Sequence, residues 1–373
     1  VTGTPLQPTA GNGPGSLPTP QPSMGLAAYR RELELALAHD PRRRENYEKY
    51  QRARRGEVDL DYLPIKLDIE NVSRCNFRCV MCQVSDWPKG RRAADLPLDA
   101  FKRLVDEQYG LVEIKLQGMG EPLLQRDDYF EMIRHARRSH IWVRTTTNAS
   151  LLHLHDNYRR LIDADPNEVQ ISIDGATKEV FEGIRRGSVF ERVVENCRLI
   201  NAYCDQIGVS RTKMWVVVQA GNVHQLDAFV DLAATMGFKD LALSLTLTDW
   251  GQAEWGRRNA EIGVDGRVDT QTCFRLLERG RALGITVSFW TVTSKYSTRS
   301  RETLCPWPFE RAYVSSDQRV VPCCTIATPE VLDLGDADDF TGTWTGESYR
   351  RFRAAHLDGN IPQACQGCYQ KDP

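Results

Sequence analysis

Cys75, Cys79 and Cys82 stand in the run Arg-Cys-Asn-Phe-Arg-Cys-Val-Met-Cys, a C-x3-C-x2-C spacing. Three thiolates this close can ligate three irons of a 4Fe–4S cluster and leave the fourth iron open to a small molecule. Zinc is the competing chemistry. It is normally closed by four ligands in paired C-x2-C spacing, and no nearby histidine offers a fourth. Cys305, Cys323, Cys324, Cys365 and Cys368 follow near the C-terminus, with seventeen residues between Cys305 and Cys323 and a C-x2-C pair at the end. Four converging thiolates suit a second 4Fe–4S cluster or a structural zinc equally well, and spacing does not choose between them. Cys324 reads as a small, partly buried hydrophobe, with a swapped ligand or a reactive thiol as the alternative. The other cysteines, Cys197, Cys204 and Cys273, fall on apolar stripes of expected helices and read as core.

Alternating strands and helices must position these thiols. Short β-prone runs occur at 66–70, 112–116, 141–146, 168–173, 214–219, 240–246 and 285–290. Amphipathic stretches at 98–109, 127–138, 156–163, 178–205, 224–236 and 267–283 lie between most of them. Repeated βα units of this length predict an α/β fold with a parallel sheet, closing into a partial (β/α)6 TIM-type barrel. Function then sits at the carboxyl ends of the strands, and the first three cysteines directly follow the first strand. The expected organisation is a disordered tail at 1–28, a helical segment at 29–63, the barrel at 64–300 and a small metal-held domain at 301–373. The tail is rich in Pro, Thr, Gly and Ser, and Met24 is a candidate start. The basic run Arg42-Arg43-Arg44, followed by Glu45 and Glu48, reads as a solvated helix face.

Composition narrows the classes. The 373 residues carry 48 basic and 50 acidic side chains, a net charge of −2 that gives no support to nucleic-acid binding. No apolar run is long enough to span a membrane, and no secretory signal is evident. The expected location is the cytoplasm, where thiols stay reduced.

The cysteine loop and its position after the first strand resemble the radical S-adenosylmethionine (radical SAM) enzymes. Met81 departs from the aromatic residue many members carry there. Gly118-Met119-Gly120-Glu121-Pro122 looks like the glycine-rich loop that holds the SAM amino group. Asn148 matches a recurrent family position, with a turn or cap role equally open. Ser172 is a candidate ribose contact in a Ser-x-Asp-Gly segment. Arg185 or Arg186 could reach the SAM carboxylate or make a surface ion pair. The C-terminal segment resembles the twitch domain, a shortened SPASM domain, with Cys305, Cys323, Cys365 and Cys368 at the ligand positions of one auxiliary cluster. The resemblance implies SAM, two 4Fe–4S clusters and an external one-electron reductant of flavodoxin or ferredoxin type. In that family a 5′-deoxyadenosyl radical abstracts a substrate hydrogen.

Similarity to twitch enzymes of aminoglycoside biosynthesis leads to the expected reaction. It is oxidation of a secondary alcohol on a polyhydroxylated small molecule, a sugar or aminocyclitol, with the auxiliary cluster accepting an electron. Epimerisation with hydrogen return from a thiol is the first alternative. A SPASM-type peptide maturase is the second, ranked lower because only about 60 residues, without a three-strand pattern, precede the barrel. A zinc-binding protein without activity is the third. Glu70, ending the first strand, is the candidate base; Asp249 and His224 are others. Gln117 and Gln219 end strands and could bond a polar substrate, and Trp87, Trp250 and Trp255 could pack on sugar C–H faces.

Overall fold

The computed structural model describes residues 17–370, apart from 54, 88–93 and 265. Seven parallel strands form the barrel wall: β1 (Lys66–Ile69), β2 (Glu113–Leu116), β3 (Trp142–Thr147), β4 (Glu168–Ser172), β5 (Thr212–Val217), β6 (Asp240–Ser244) and β7 (Thr286–Trp290). Each coincides with one of the β-prone runs. Leu67, Ile69, Ile114, Leu116, Val169 and Ile171 point outward and are fully buried beneath the flanking helices. The intervening positions, such as Asp68, Lys115, Arg144 and Gln170, line the lumen. The period of two along each strand therefore separates an apolar wall from a polar interior.

The C-terminal segment does not stand apart as a separate layer. Its strands β8 (Arg311–Val314), β9 (Arg319–Val321) and β10 (Gly335–Asp336) extend the same sheet, in the order β10-β9-β8-β1-β2-β3-β4-β5-β6-β7. β8 runs parallel to β1, with Lys66 opposite Arg311 and Ile69 opposite Val314.

Several local expectations need correction. The stretch 178–205 is two helices, Lys178–Ile184 and Phe190–Gln206, because Arg185–Arg186 leave the helix to pair with Arg78–Cys79. Helix Ala253–Ile262 had no counterpart in the sequence reading. The N-terminal helical stretch is two helices, Gly25–His39 and Pro41–Ala53, divided at Pro41 as a proline within a helical run implies. Arg43 is not solvated: it is buried and donates to the carbonyls of Ala36, Tyr109 and Ser139. Residues 1–16 of the expected tail lie outside the described residues. Residues 17–28, in contrast, are placed against the barrel. Phe289 N donates to Pro18 O (2.8 Å), Lys213 Nζ to Gln21 O (2.5 Å), and Ser23 N to Glu168 Oε2 (3.1 Å).

These contacts close the amino-terminal end of the lumen over a ladder of alternating charge. Lys66 meets Glu113 (3.0 Å), Glu113 meets Arg144, and Glu168 meets Lys213 (2.8 Å). Tyr29 OH donates to Glu113 Oε2 (3.1 Å). Burial alone would push the Glu113 carboxyl up; Arg144, Lys66 and Arg311 together outweigh it and hold it well below the usual range. Among the described residues, no helix is long and apolar enough to cross a membrane.

Lys213 and Glu168 are each about 2% exposed. Lys213→Met would strand the Glu168 carboxylate. The expected loss is roughly 3–5 kcal/mol of stability, measured by urea unfolding.

Candidate active site

All the sequence-predicted cluster cysteines border one cavity of about 970 Å³ at the carboxyl ends of the strands. Cys75, Cys79 and Cys82 enter from the loop after β1. Cys305, Cys323, Cys365 and Cys368 enter from the C-terminal segment, and Cys324 joins them. Burial pushes the Cys75 thiol up to about 12 and Cys323 to about 11. Iron binding reverses that balance, since a metal-bound thiol is deprotonated outright. Among the described residues, no three His, Cys, Asp or Glu groups converge on a single-ion position. Cys197, Cys204 and Cys273 are buried in the core away from the cavity, as expected of helix-stripe cysteines.

The loop carrying Cys75 is held by a polar chain. Glu121 Oε2 accepts from Asn148 N (2.7 Å) and Glu121 Oε1 from Thr147 Oγ1 (2.6 Å). Asn148 Nδ2 then donates to Asn76 Oδ1 (3.0 Å), and Asn148 Oδ1 accepts from Ser150 N (2.9 Å). Asn148 thus takes the turn role and also braces the cysteine loop. Burial pushes the Glu121 carboxyl up to about 7 despite its hydrogen bonds. Glu121, Asn148, Gly118, Met119, Gly120 and Ser172 all line the cavity.

The glycines of that loop are also required by packing within the protein. A Cβ on Gly118 would fall 2.0 Å from Glu70 Cγ, and one on Gly120 would fall 2.3 Å from Arg74 O. The loop needs glycine to pack against the chain that leads into Cys75. Glu70 is accordingly not placed as a base. It is fully buried: Oε1 accepts from Met119 N (2.8 Å) and Oε2 from Ser316 N (3.0 Å). It ties the glycine loop to the turn between β8 and β9. His224 is exposed, and Asp249 spends one oxygen on Gly251 N (2.9 Å). Gln117 faces the cavity and accepts from Thr146 Oγ1 (2.6 Å), whereas Gln219 is buried beside Met81. Trp250 lines the cavity; Trp255 is buried under Arg258.

Arg185 and Arg186 separate cleanly. Arg185 is buried, lines the cavity and pairs with Asp174 at 2.7 Å, while Arg186 is exposed. Asp174 is therefore more than a turn residue.

Sequence reasoning missed the lumen floor. Asp68 and Lys115 face it, and Asp68, 5% exposed, makes no hydrogen bond or ion pair within 4 Å among the described residues. Lys295 lies over the Trp290 ring at 3.6 Å, and burial lowers its ammonium to about 8. The strict polar alternation in Lys66-Leu-Asp68-Ile-Glu70 and Glu113-Ile-Lys115-Leu-Gln117 was the available signal.

Residues 71–232 match the Radical SAM superfamily, and residues 305–369 match SPASM, an iron–sulfur cluster-binding domain. The chain carries a radical SAM domain followed by a SPASM/twitch iron–sulfur domain. These domains imply SAM and two 4Fe–4S clusters as cofactors, and the two largely half-buried thiol sets opening on one cavity fit that complement. Among relatives, mycofactocin maturase MftC of Mycolicibacterium smegmatis is 35% identical over 181 residues, 47% of this chain and 43% of that protein. The match thus spans under half of that relative's length. PqqA peptide cyclase of Methylorubrum populi is 25% identical over 324 residues, covering 84% of this chain and 80% of that protein. SuiB of Streptococcus suis, solved bound to its precursor peptide SuiA, superposes with a TM-score of 0.62 at 14% identity, over 83% of this chain and 69% of SuiB.

Two predictions follow from this geometry. Glu70→Gln puts an amide donor against one of two backbone N–H groups. It should cost roughly 1–3 kcal/mol in thermal unfolding of the apoprotein, before any catalytic test. His356 is buried, and its Nδ1 shares a hydrogen bond with Tyr369 OH (2.8 Å), which itself accepts from Cys305 N (3.0 Å). Burial lowers the imidazole from 6.5 to about 4. The associated stability is full above pH 6.5 and is lost as pH falls toward 4, on the order of 3 kcal/mol in all. Urea unfolding between pH 7.5 and 5 should show this slope, and His356→Phe should flatten it.

Proposed function

We propose that this radical SAM enzyme modifies a peptide. The observation that carries the reading is the alignment with PqqA peptide cyclases across more than four-fifths of the chain, joined by the 35% identity to a mycofactocin maturase over 181 residues. This reverses the ranking of the sequence-based alternatives, which placed carbinol dehydrogenation first.

The cavity is compatible with a peptide. Its 970 Å³ must take two clusters, SAM and the reacting group. That leaves room for one or two side chains, so the rest of a peptide has to lie outside. When bound, SAM and its cluster supply a carbon-centred radical for hydrogen-atom abstraction. The protein's own residues position and exclude. Asn148 and Glu121 brace the cysteine loop. Arg185, held by Asp174, presents a cation beside Cys79, suited to a carboxylate of SAM. Asp68, Lys115 and Gln170 offer donors and acceptors at the depth where an inserted side chain or backbone amide would sit. The segment 17–24 covers the far end of the lumen, as a reaction that must exclude water would need.

Anaerobic assays with reconstituted enzyme, SAM and dithionite would test this. One arm takes short peptides encoded beside the gene; the other takes a panel of aminocyclitols. A mass change on a peptide, absent with Cys75→Ala, is the expected result. Peptides left unchanged while an aminocyclitol loses about 2 Da would return the carbinol dehydrogenase to first place. Asp68→Asn should retain iron content and lower product formation by about tenfold or more, read as 5′-deoxyadenosine formed without product.

A further inference from the structure

The loop that carries Cys75, Cys79 and Cys82 has an outer face as well as an inner one. Arg78–Cys79 pairs antiparallel with Arg185–Arg186, so Cys79 lies opposite Arg185 and Arg78 opposite Arg186. Cys79 and Arg185 turn toward the cavity, and Arg78 and Arg186 are exposed. Like charges directly opposite each other weaken a ladder. Neither guanidinium lies within ion-pair distance of a carboxylate among the described residues, and neither does that of exposed Arg192 nearby. Other arginines of the chain, among them Arg74, Arg160, Arg198 and Arg258, each meet a carboxylate. Arg78 is also fixed rather than loose, donating to Cys75 O (3.0 Å) and Phe77 O (3.2 Å).

Beside the ladder is a depression of about 150 Å³, lined by Asn76, Phe77, Ser150, His153, Gly187 and Arg192. Leu154 and Val189 also border it and are among the few large apolar side chains left exposed, at 41% and 43%. An uncompensated cationic ridge with two apolar contact points, one residue from a cluster ligand, has the composition of a small transient interface.

We propose that this face docks an acidic one-electron carrier protein that reduces the cluster held by Cys75, Cys79 and Cys82. The carrier gives up one electron and the cluster takes it up, passing from its 2+ to its 1+ state. No bond forms and no proton moves. The arginines steer the carrier and hold it against the loop that carries the thiolates. The whole chain is nearly neutral, at −2, so the attraction belongs to this patch and is screened within about 8 Å at physiological salt. The inference does not depend on which substrate is modified.

The test uses the loaded enzyme with Arg186→Glu, Arg192→Glu and the double variant, leaving Arg78 to hold the loop. Cluster bleaching is followed by anaerobic stopped-flow, with reduced flavodoxin, reduced plant-type ferredoxin or dithionite as electron source. Binding of the oxidised carriers is measured separately by fluorescence anisotropy. At low salt the double variant should lose about tenfold or more in second-order rate and in affinity with at least one carrier. Dithionite rates should stay within about twofold, and high salt should erase the difference. Equal loss with carrier and dithionite would mean a disturbed loop, and unchanged carrier rates would mean docking elsewhere; either overturns the proposal. So would wild-type enzyme reduced by neither carrier. A dithionite-driven defect confined to peptide turnover would assign the face to an acidic peptide instead.

Discussion

Four residues of backbone pairing hold the two halves of the site in one frame. Lys66–Ile69 runs parallel to Arg311–Val314, so the C-terminal segment continues the barrel sheet. Without this pairing the two cysteine sets would belong to separate bodies joined by a linker. With it, one sheet edge fixes where Cys305 and Cys323 sit relative to Cys75. Glu70 extends the frame by one residue. Its two carboxylate oxygens take a backbone N–H from each half, Met119 on one side and Ser316 on the other. A buried carboxylate is costly unless its lone pairs are occupied, and two backbone donors meet that demand. The charge that the sequence offered as a base is thus spent on architecture.

Much of the fold was legible because it depends on local patterning. All seven barrel runs became strands, and the flanking apolar stripes became the helices that cover them. The cysteine sets were legible because chemistry restricts their spacing. What failed depends on residues distant in the chain. Glu70 finds its partners 49 and 246 positions away, and nothing near Glu70 in sequence hints at either. At Gly118 and Gly120 the place of a side chain is taken by Glu70 and by the backbone of residues 72–74. A glycine states that something approaches closely; it does not state what.

The N-terminal segment failed for another reason. A stretch rich in Pro, Thr and Gly lacks the apolar periodicity by which order is recognised. Residues 17–24 are ordered through backbone groups and through the edge strand β7, whose Phe289 N–H points out of the sheet and donates to Pro18 O. Sheet edges accept extended chain with little regard to side-chain identity. The ladder of Lys66, Glu113, Arg144, Glu168 and Lys213 gives that segment polar partners that an apolar floor could not. The period-two alternation of the strands carries the ladder, with Lys66, Glu113, Arg144, Glu168 and Lys213 all at inward positions.

The polar interior also bears on the kind of substrate. Glu113, Glu168 and Lys213 are compensated within the fold, whereas Asp68, one layer nearer the clusters, makes no such pairing among the described residues. Burial pushes the Asp68 carboxyl up, since Lys115 and the more distant arginines do not offset the lost solvation. A buried group left in that condition is a standing cost to the folded protein. The cost is recovered when something brings a hydrogen-bond donor to it, and Cys324 and Lys115 border the same space. A peptide backbone carries an N–H and a C=O at every residue, and so can satisfy Asp68 and Lys115 together whatever its side chain. On the proposed peptide reading, the reacting side chain would then be free to point at the clusters. Anchoring by backbone and reacting by side chain would let a lumen of modest size act on a substrate far larger than itself.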